Sequence, residues 1–324
     1  MSTRSIKIIC TLGPNTLRKD ILNFAKGKIS LLRLNISHIE INKLKKIIKF
    51  IKKNSKIPIC IDTEGAQIRT KGKKTTYYKN NQIFKLNSNN GGNFNLYPKH
   101  VFKNLKRNDQ LKIGFNDLKV KVFKVGEKYI LLKVISSGLL ENNKGVTLHN
   151  RKIKLDFLTE KDFTAIKIAR ALKVRNFALS FTNSTTDIRK FEKILKNENK
   201  IYKIETREAV NQISQIIRAG KHFLIDRGDL SKDTSIESIP LIQRKIFKAS
   251  KNFKNKKIYV ATNLLESMIH NKYPTRGEAN DIYNSLEMGA AGLVLAAETA
   301  IGKYPEEAIL FVKKMINFFK KNVT

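Results

Sequence analysis

The stretch "AGLVLAAET", residues 291–299, is a short apolar run that ends in a carboxylate and a hydroxyl. Such a run, apolar at successive positions, suits a strand buried on both faces of a parallel sheet. It is the last of eight. Before it come "IKIICT" (6–11), "ISLLRLN" (29–35), "IPICIDT" (57–63), "NFALSF" (176–181), "IYKIE" (201–205), "HFLIDRGD" (222–229) and "KIYVATN" (257–263). Stretches with helical spacing lie between most of them. "INKLKKIIKFIKKN" repeats apolar residues at three and four, "TEKDFTAIKIARAL" opens on a Thr-x-x-Asp cap signal, and "PLIQRKIFKASKN" opens on proline. Eight strands alternating with helices predict an α/β fold, a (β/α)8 TIM barrel. The competing open, doubly wound sheet lacks support in its dinucleotide-binding form, because no Gly-x-Gly-x-x-Gly follows the first strand.

One interval breaks the rhythm. Residues 71–155 contain "IFKLNSN", "QLKIGFND", "LKVKVFKVGEKYILLKVI" and "GVTLHNRKIKL", which alternate apolar with polar residues between Asn, Gly and Lys. This pattern predicts a small antiparallel β-barrel-like lid domain inserted after the third strand, with residues 1–70 and 156–324 forming the barrel. An insertion in a βα-loop is expected over the active face of a barrel, where a lid belongs.

The 324 residues are 41% hydrophobic, enough for a substantial core. The two cysteines, Cys10 and Cys60, sit inside apolar runs and are expected as packed thiols of a cytoplasmic protein rather than a disulfide. No run approaches the roughly 18 apolar residues of a membrane span, and "MSTRSIKIICTLGP" does not have the form of a signal peptide. The formal net charge of +37 raises a nucleic-acid reading. Lysine far outnumbers arginine, however, and lysines run along the whole chain rather than in one stripe. Abundant Lys, Asn and Ile also accompany an A/T-rich genome. Non-specific nucleic-acid binding and attraction of small anions are the expected consequences, not a dedicated nucleic-acid site.

In a barrel the C-terminal strand ends build the active site. Reading those ends gives Thr11; Arg33, Asn35, Ser37 and His38; Asp62 and Thr63; Arg69 just before the insertion; Ser180; Lys203 and Glu205; Asp226 to Asp229; Thr262; and Glu298 with Thr299. Glu205 and Asp229 end neighbouring strands and suit Mg2+ or Mn2+. Ion pairing of Glu205 with Lys203 or Arg227 explains them equally well. Asn35, Ser37, Asp62 and Thr63 offer neutral oxygens and one carboxylate, as a large, weakly charged cation requires, while local turn bonding by Asn and Ser is the plainer reading. Arg33, Arg69 and Lys203 place positive charge where phosphate oxygens could be clamped. Gly228 would let an anion approach the backbone closely. The tripeptide Arg227-Gly228-Asp229 carries no adhesion meaning at a strand-to-loop position of this kind.

Together these segments resemble the pyruvate kinase family. "IICTLGPNT" resembles its opening strand and turn, and "LLRLNISH" its Arg-Leu-Asn-Phe-Ser-His segment. "IDTEGAQIRT" resembles its Asp-Thr-Lys-Gly-Pro-Glu-Ile-Arg-Thr segment, "KGVTLHNRKIKLDFLTEKD" the return from the lid, and "IYKIETREAV" the Lys-Ile-Glu-Asn segment. "DRGDL" is similar to Ala-Arg-Gly-Asp-Leu, and residues 261–308 to the block spanning the seventh and eighth strands. The resemblance implies phosphoryl transfer between phosphoenolpyruvate and ADP, giving pyruvate and ATP. It implies that Lys203 stabilises the phosphoryl group in flight and that Glu205 and Asp229 hold the divalent metal, Mg2+ or Mn2+. Arg33 and Arg69 would contact phosphate oxygens, and Asn35, Ser37, Asp62 and Thr63 would hold K+. Thr262 would face the enolate, with Gly228, Asp229 and Ser180 completing the substrate pocket. Pro14, His38, Arg69 and Lys144 would lie on the nucleotide side.

Several positions depart from the family pattern. Gln67 and Ala66 replace the charged residue and proline before Ile-Arg-Thr, which speaks against potassium dependence. Ala296 replaces a serine, Asn183 stands where arginine is common, and Asp226 replaces an alanine beside the metal site. Asp226 adds negative charge that would tighten metal binding or repel the substrate carboxylate. The family's C-terminal effector domain is expected to be absent, and its allostery with it. The alternatives are a diverged member acting on another phosphoenol or enolate, and a non-catalytic anion- or RNA-binding protein. Helices around a barrel also offer a surface for a homo-oligomer.

Overall fold

The computed structural model describes residues 5–72, 74–88, 94–114 and 118–322. They form two compact units, Met1–Gly65 with Glu160–Thr324, and Ala66–Thr159.

The first unit is built on strands β1 (Lys7–Thr11), β2 (Leu31–Asn35), β3 (Ile59–Asp62), β4 (Asn176–Leu179), β5 (Asn199–Ile204), β6 (His222–Asp226), β7 (Lys257–Ala261) and β8 (Gly292–Leu295). They pair in parallel in chain order. β8 returns to β1, with Ile8 opposite Leu293 and Ile9 opposite Val294, and so closes the barrel. Each of the eight apolar runs is a barrel strand. They are apolar throughout because one face fills the barrel and the other is covered by helices. Helix Ile41–Asn54 shows the outer layer: Leu44, Ile48 and Ile51 are its buried residues, spaced by four and three. Each such side chain taken out of water contributes about 1.5–3 kcal/mol. Cys10 and Cys60 are buried and unpaired, and burial pushes the Cys10 thiol up to about 12, so neither is a thiolate at neutral pH.

Inside the barrel, side chains alternate with the period of a strand. Ile9, Leu31, Cys60, Ala178, Ile201, Leu224 and Tyr259 belong to one buried apolar cluster. Two residues further along each of six of these strands stand Thr11, Arg33, Asp62, Ser180, Lys203 and Asp226, all buried. A period of two puts both sets on the inward face. The barrel is therefore apolar at one level and charged at the next, towards its C-terminal mouth.

The second unit is a seven-stranded antiparallel sheet with a separate two-stranded ribbon. Its outermost strands, Ile83–Asn87 and Phe94–Tyr97, come into contact, so the sheet curls into a nearly closed barrel around Val120, Ile130 and Leu132. This unit takes in residues 66–70, which the sequence pattern assigns to the barrel. The reason is pairing: strand Ile68–Gly72 lies between Gly145–Leu148 and Phe94–Tyr97, with Arg69 opposite both Gly145 and Tyr97. At the other boundary, Ile153 and Leu155 pack against the same core, and the unit runs on to Thr159.

Candidate active site

Lys203 is the centre of the polar layer. Its Nζ lies 2.8 Å from Glu205 Oε1, 3.1 Å from Asp226 Oδ2 and 3.3 Å from Asp62 Oδ2. Ser180 Oγ is 3.2 Å away. The residue is only 3% exposed. Burial opposes its charge, but Asp62, Glu205 and Asp226 outweigh burial and hold its pKa above that of an ordinary lysine. Lys203 is thus a permanent cation and cannot act as a base at neutral pH.

Asp62 carries the second half of the network. One oxygen takes Arg33 Nε at 2.8 Å and Arg33 Nη2 at 2.5 Å, and the other accepts from Ser180 Oγ at 3.2 Å. Arg33 Nη1 donates to Thr11 Oγ1 at 2.8 Å. These bonds link the ends of β1, β2, β3 and β4 through side chains alone. Asp226 is buried, yet Lys203 and Arg33 pull its pKa well below the usual carboxylate value. Glu205 behaves oppositely: burial lifts its pKa, with Asp226 and Asp229 adding to the shift. One Glu205 oxygen accepts from the backbone N–H of Phe181 at 2.5 Å. The other faces Lys203 but lies outside hydrogen-bonding direction.

The loops around this layer are tightly fixed. Phe181 and Thr262, following β4 and β7, have φ of 52° and 66°, which is strained for a bulky or β-branched residue and is typical of functional sites. Thr262 Oγ1 accepts from Gly228 N at 2.8 Å and donates to Ala261 O at 2.6 Å. Arg227 holds the Thr262 carbonyl and forms a two-pronged pair with Asp281, at 2.8 and 2.7 Å. Of the two structural partners weighed for Glu205, Lys203 is therefore present and Arg227 is engaged elsewhere. Asp162 accepts from the backbone N–H groups of Glu64 and Gly65, fixing the turn after β3, where Gly65 has φ +66°.

The expected cation ligands fall into two groups. Glu205, Asp226 and Asp229 offer oxygens within 4.8 Å of one another. A set of carboxylate oxygens at that spacing fits a hard divalent ion. The buried Glu205 oxygen, without a well-directed donor, marks where such an ion would be taken up. Sequence reasoning took Asp226 only as a departure beside the ligands. The fold makes it the third carboxylate, because the inward face of β6 carries Leu224 and then Asp226. Asp229 Oδ1 also meets Lys232 Nζ at 2.6 Å. In the second group, Asn35 and Asp62 are register partners on β2 and β3. Asn35 Oδ1 accepts from Ser37 N at 3.0 Å, the local turn bond that sequence reasoning weighed. Thr63 Oγ1 donates to Ala178 O and accepts from Ser180 N.

Pro14 and His38 are exposed after β1 and β2. Arg69 and Lys144 belong to the second unit, where the chain brings them to adjacent positions. There Arg69 Nη1 donates to Asn143 O at 3.1 Å, and Lys144 pairs with Glu141 at 3.2 Å.

Residues 3–309 match the model of the barrel domain of pyruvate kinase. This chain belongs to the pyruvate kinase family. It is 32% identical to a pyruvate kinase of Thermotoga maritima over 99% of this chain and 72% of the relative. It is 36% identical to one of Buchnera aphidicola subsp. Schizaphis graminum over 96% and 69%, and 30% identical to one of Corynebacterium glutamicum over 97% and 70%. The family's activity is that of a phosphotransferase enzyme, and membership implies a divalent-metal requirement. Among the described residues, no helix is long and apolar enough to cross a membrane.

A further buried carboxylate follows β8. Glu298 is 2% exposed, its Oε1 has no hydrogen-bond partner among the described residues, and burial raises its pKa to about 7. The folded protein therefore keeps a proton on Glu298 that the unfolded chain has already lost. Its contribution to stability is full below about pH 4.5 and falls as pH rises towards 7. Glu298→Gln is expected to remove a loss on the order of 3 kcal/mol. Urea unfolding at pH 5 and pH 8 should show the variant gaining on the parent at the higher pH. An equal difference at both values would contradict the assignment.

Proposed function

We propose that this pyruvate kinase-like phosphotransferase moves the phosphoryl group between phosphoenolpyruvate and ADP, with Lys203 as the residue that carries the charge in flight. The observation behind the reading is the position of Lys203: a permanently charged ammonium, buried at the C-terminal mouth of a closed barrel, within 3.3 Å of Asp62, Glu205 and Asp226, the last two of which belong with Asp229 to a carboxylate set that fits a divalent ion. In the forward direction an oxygen of the ADP β-phosphate attacks phosphorus, and the bond from phosphorus to the enol oxygen breaks. The enolate then takes a proton at its methylene carbon. Phosphoryl transfer depends on positioning and charge stabilisation rather than covalent catalysis. A fixed ammonium in a desolvated layer suits that need, because it does not reorganise as charge moves.

Glu205, Asp226 and Asp229 would hold Mg2+ or Mn2+, which when bound neutralises charge on phosphoryl and enolate oxygens. Arg33, already oriented by Asp62 and Thr11, would contact phosphate oxygens. Ser180, Gly228, Asp229 and Thr262 would line the substrate pocket, with Thr262 on the enolate side. Asn35, Ser37, Asp62 and Thr63 would form the monovalent-cation site, K+ being the ion implied by the family. Pro14 and His38 are proposed as nucleotide contacts on the barrel, and Arg69 and Lys144 as nucleotide contacts on the second unit.

Asp226 sharpens the metal dependence. Without a bound cation it competes for the Lys203 ammonium that the phosphoryl group needs. With Asp226 among the residues that would hold the divalent ion, the Lys203 ammonium beside it would be left to face substrate oxygens. ATP formation from phosphoenolpyruvate and ADP should therefore require Mg2+ or Mn2+ outright, and parallel assays with and without K+ report on the second cation. Failure to form ATP under every cation condition, in a folded sample, would overturn the proposal.

A further inference from the structure

The opposite end of the barrel holds a bowl of about 910 Å3. The first residues of seven strands, β1 to β7, line it. Its inner wall is the lower apolar level of the barrel, including Ile9, Leu31, Ile201 and Tyr259. Seven lysine and arginine side chains surround that floor, and among the described residues no aspartate or glutamate lines it. Three of these cations are engaged. Lys52 donates to the carbonyls of Leu172 and Lys173, Lys200 donates to Leu195 O, and Arg175 lies 3.9 Å from Glu198. Lys7, Lys56, Lys173 and Lys257 form no ion pair among the described residues, so the bowl keeps a surplus of positive charge.

His222 reports this field from the first position of β6. Its ring stacks on Tyr259 with centroids 6.0 Å apart, and Nδ1 lies 3.2 Å from the Tyr259 hydroxyl. Burial lowers its pKa to about 4, with Lys257, Lys7 and Lys221 adding to the shift. The histidine is therefore neutral at pH 7 and leaves the neighbouring ammonium groups as the charge of the bowl. A lysine-rich surface alone would spread such charge over convex ground. Here strand ends gather it in a concavity, over an apolar floor with an aromatic side chain.

We propose that this bowl is a second anion-binding site, which takes a small molecule carrying two or more phosphate groups. Several ammonium groups without acid partners call for more than one negative charge. The concave shape favours a compact ligand over an extended nucleic acid, and the apolar floor suits an organic portion. The inference stands independently of the catalytic reading, because no residue of the bowl belongs to the catalytic layer.

The test is calorimetric titration of the full chain, without divalent metal, using inorganic tripolyphosphate and, separately, adenosine 3′,5′-bisphosphate. Lys203→Met marks binding at the catalytic layer, and the double variant Lys7→Ala/Lys257→Ala marks the bowl. One equivalent should bind to the parent and to Lys203→Met alike. Affinity in the double variant should fall about tenfold for each ammonium removed. Binding should also move the His222 ring resonances in proton NMR and raise the pKa of that histidine, as its cationic neighbours are neutralised. Either probe behaving so supports the site, and the tighter of the two shows whether the floor takes an organic group. Absence of binding, binding of many equivalents insensitive to the double variant, or loss of binding in Lys203→Met would overturn it. Preferential, salt-dependent retention of single-stranded RNA that the double variant abolishes would overturn the small-ligand assignment.

Discussion

Lys203→Met is expected to lower kcat about a thousandfold with Mg2+ saturating, a loss near 4 kcal/mol of transition-state stabilisation. Methionine approximates the length of lysine but brings no charge. The phosphoryl group would then cross the layer without the buried ammonium, and a water-excluded site cannot replace it from solvent. The divalent site keeps Glu205, Asp226 and Asp229, so Mn2+ should still bind. Electron paramagnetic resonance of added Mn2+ measures that directly. Steady-state assay alongside far-UV circular dichroism separates lost chemistry from lost fold. Unchanged turnover in a folded variant would remove Lys203 from the mechanism.

The second large effect is on stability, and it follows from Asp62. This carboxylate is fully buried and accepts from Arg33 and Ser180 while facing Lys203. Asp62→Ala would leave the Arg33 guanidinium without its closest counter-charge at a depth where water cannot substitute. Breaking a buried pair by removing one partner costs roughly 3–5 kcal/mol. Urea unfolding of Asp62→Ala should show a loss of that size, and Asp62→Asn, which retains hydrogen-bond acceptance, a smaller one. A loss under about 1 kcal/mol for the alanine variant would mean that Arg33 finds another partner. It would also show that the network is far less coupled than its geometry indicates.

The polar layer is costly to bury, and this explains its form. Arg33 and Lys203 stand against Asp62, Glu205 and Asp226, which with all three ionised would leave an excess of one negative charge before Asp229 is included. Burial lifts the Glu205 pKa while the two cations hold the Asp226 pKa down. A divalent ion would satisfy the imbalance.

The sequence by itself determined the barrel. Eight apolar runs separated by amphipathic helices can bury their surface in few ways, and a strand period of two places Arg33, Asp62, Lys203 and Asp226 on the same side as their apolar neighbours. It also identified the residues now found around Lys203, because lysine, arginine and carboxylates inside apolar strands are too costly to bury without partners. Only the tertiary structure decided how those partners are shared. Strand order alone does not say that Asp62 binds Arg33 and Ser180 as well as facing Lys203, that Arg227 turns to Asp281, or that Asp226 joins Glu205 and Asp229. Those choices depend on register across neighbouring strands and on strained turns at Phe181 and Thr262, which are non-local. The same holds for residues 66–70, whose hydrogen bonds go to strands about 25 and 75 residues away, and for the cationic bowl, where closing the ring of strands gathers lysines that are scattered along the chain.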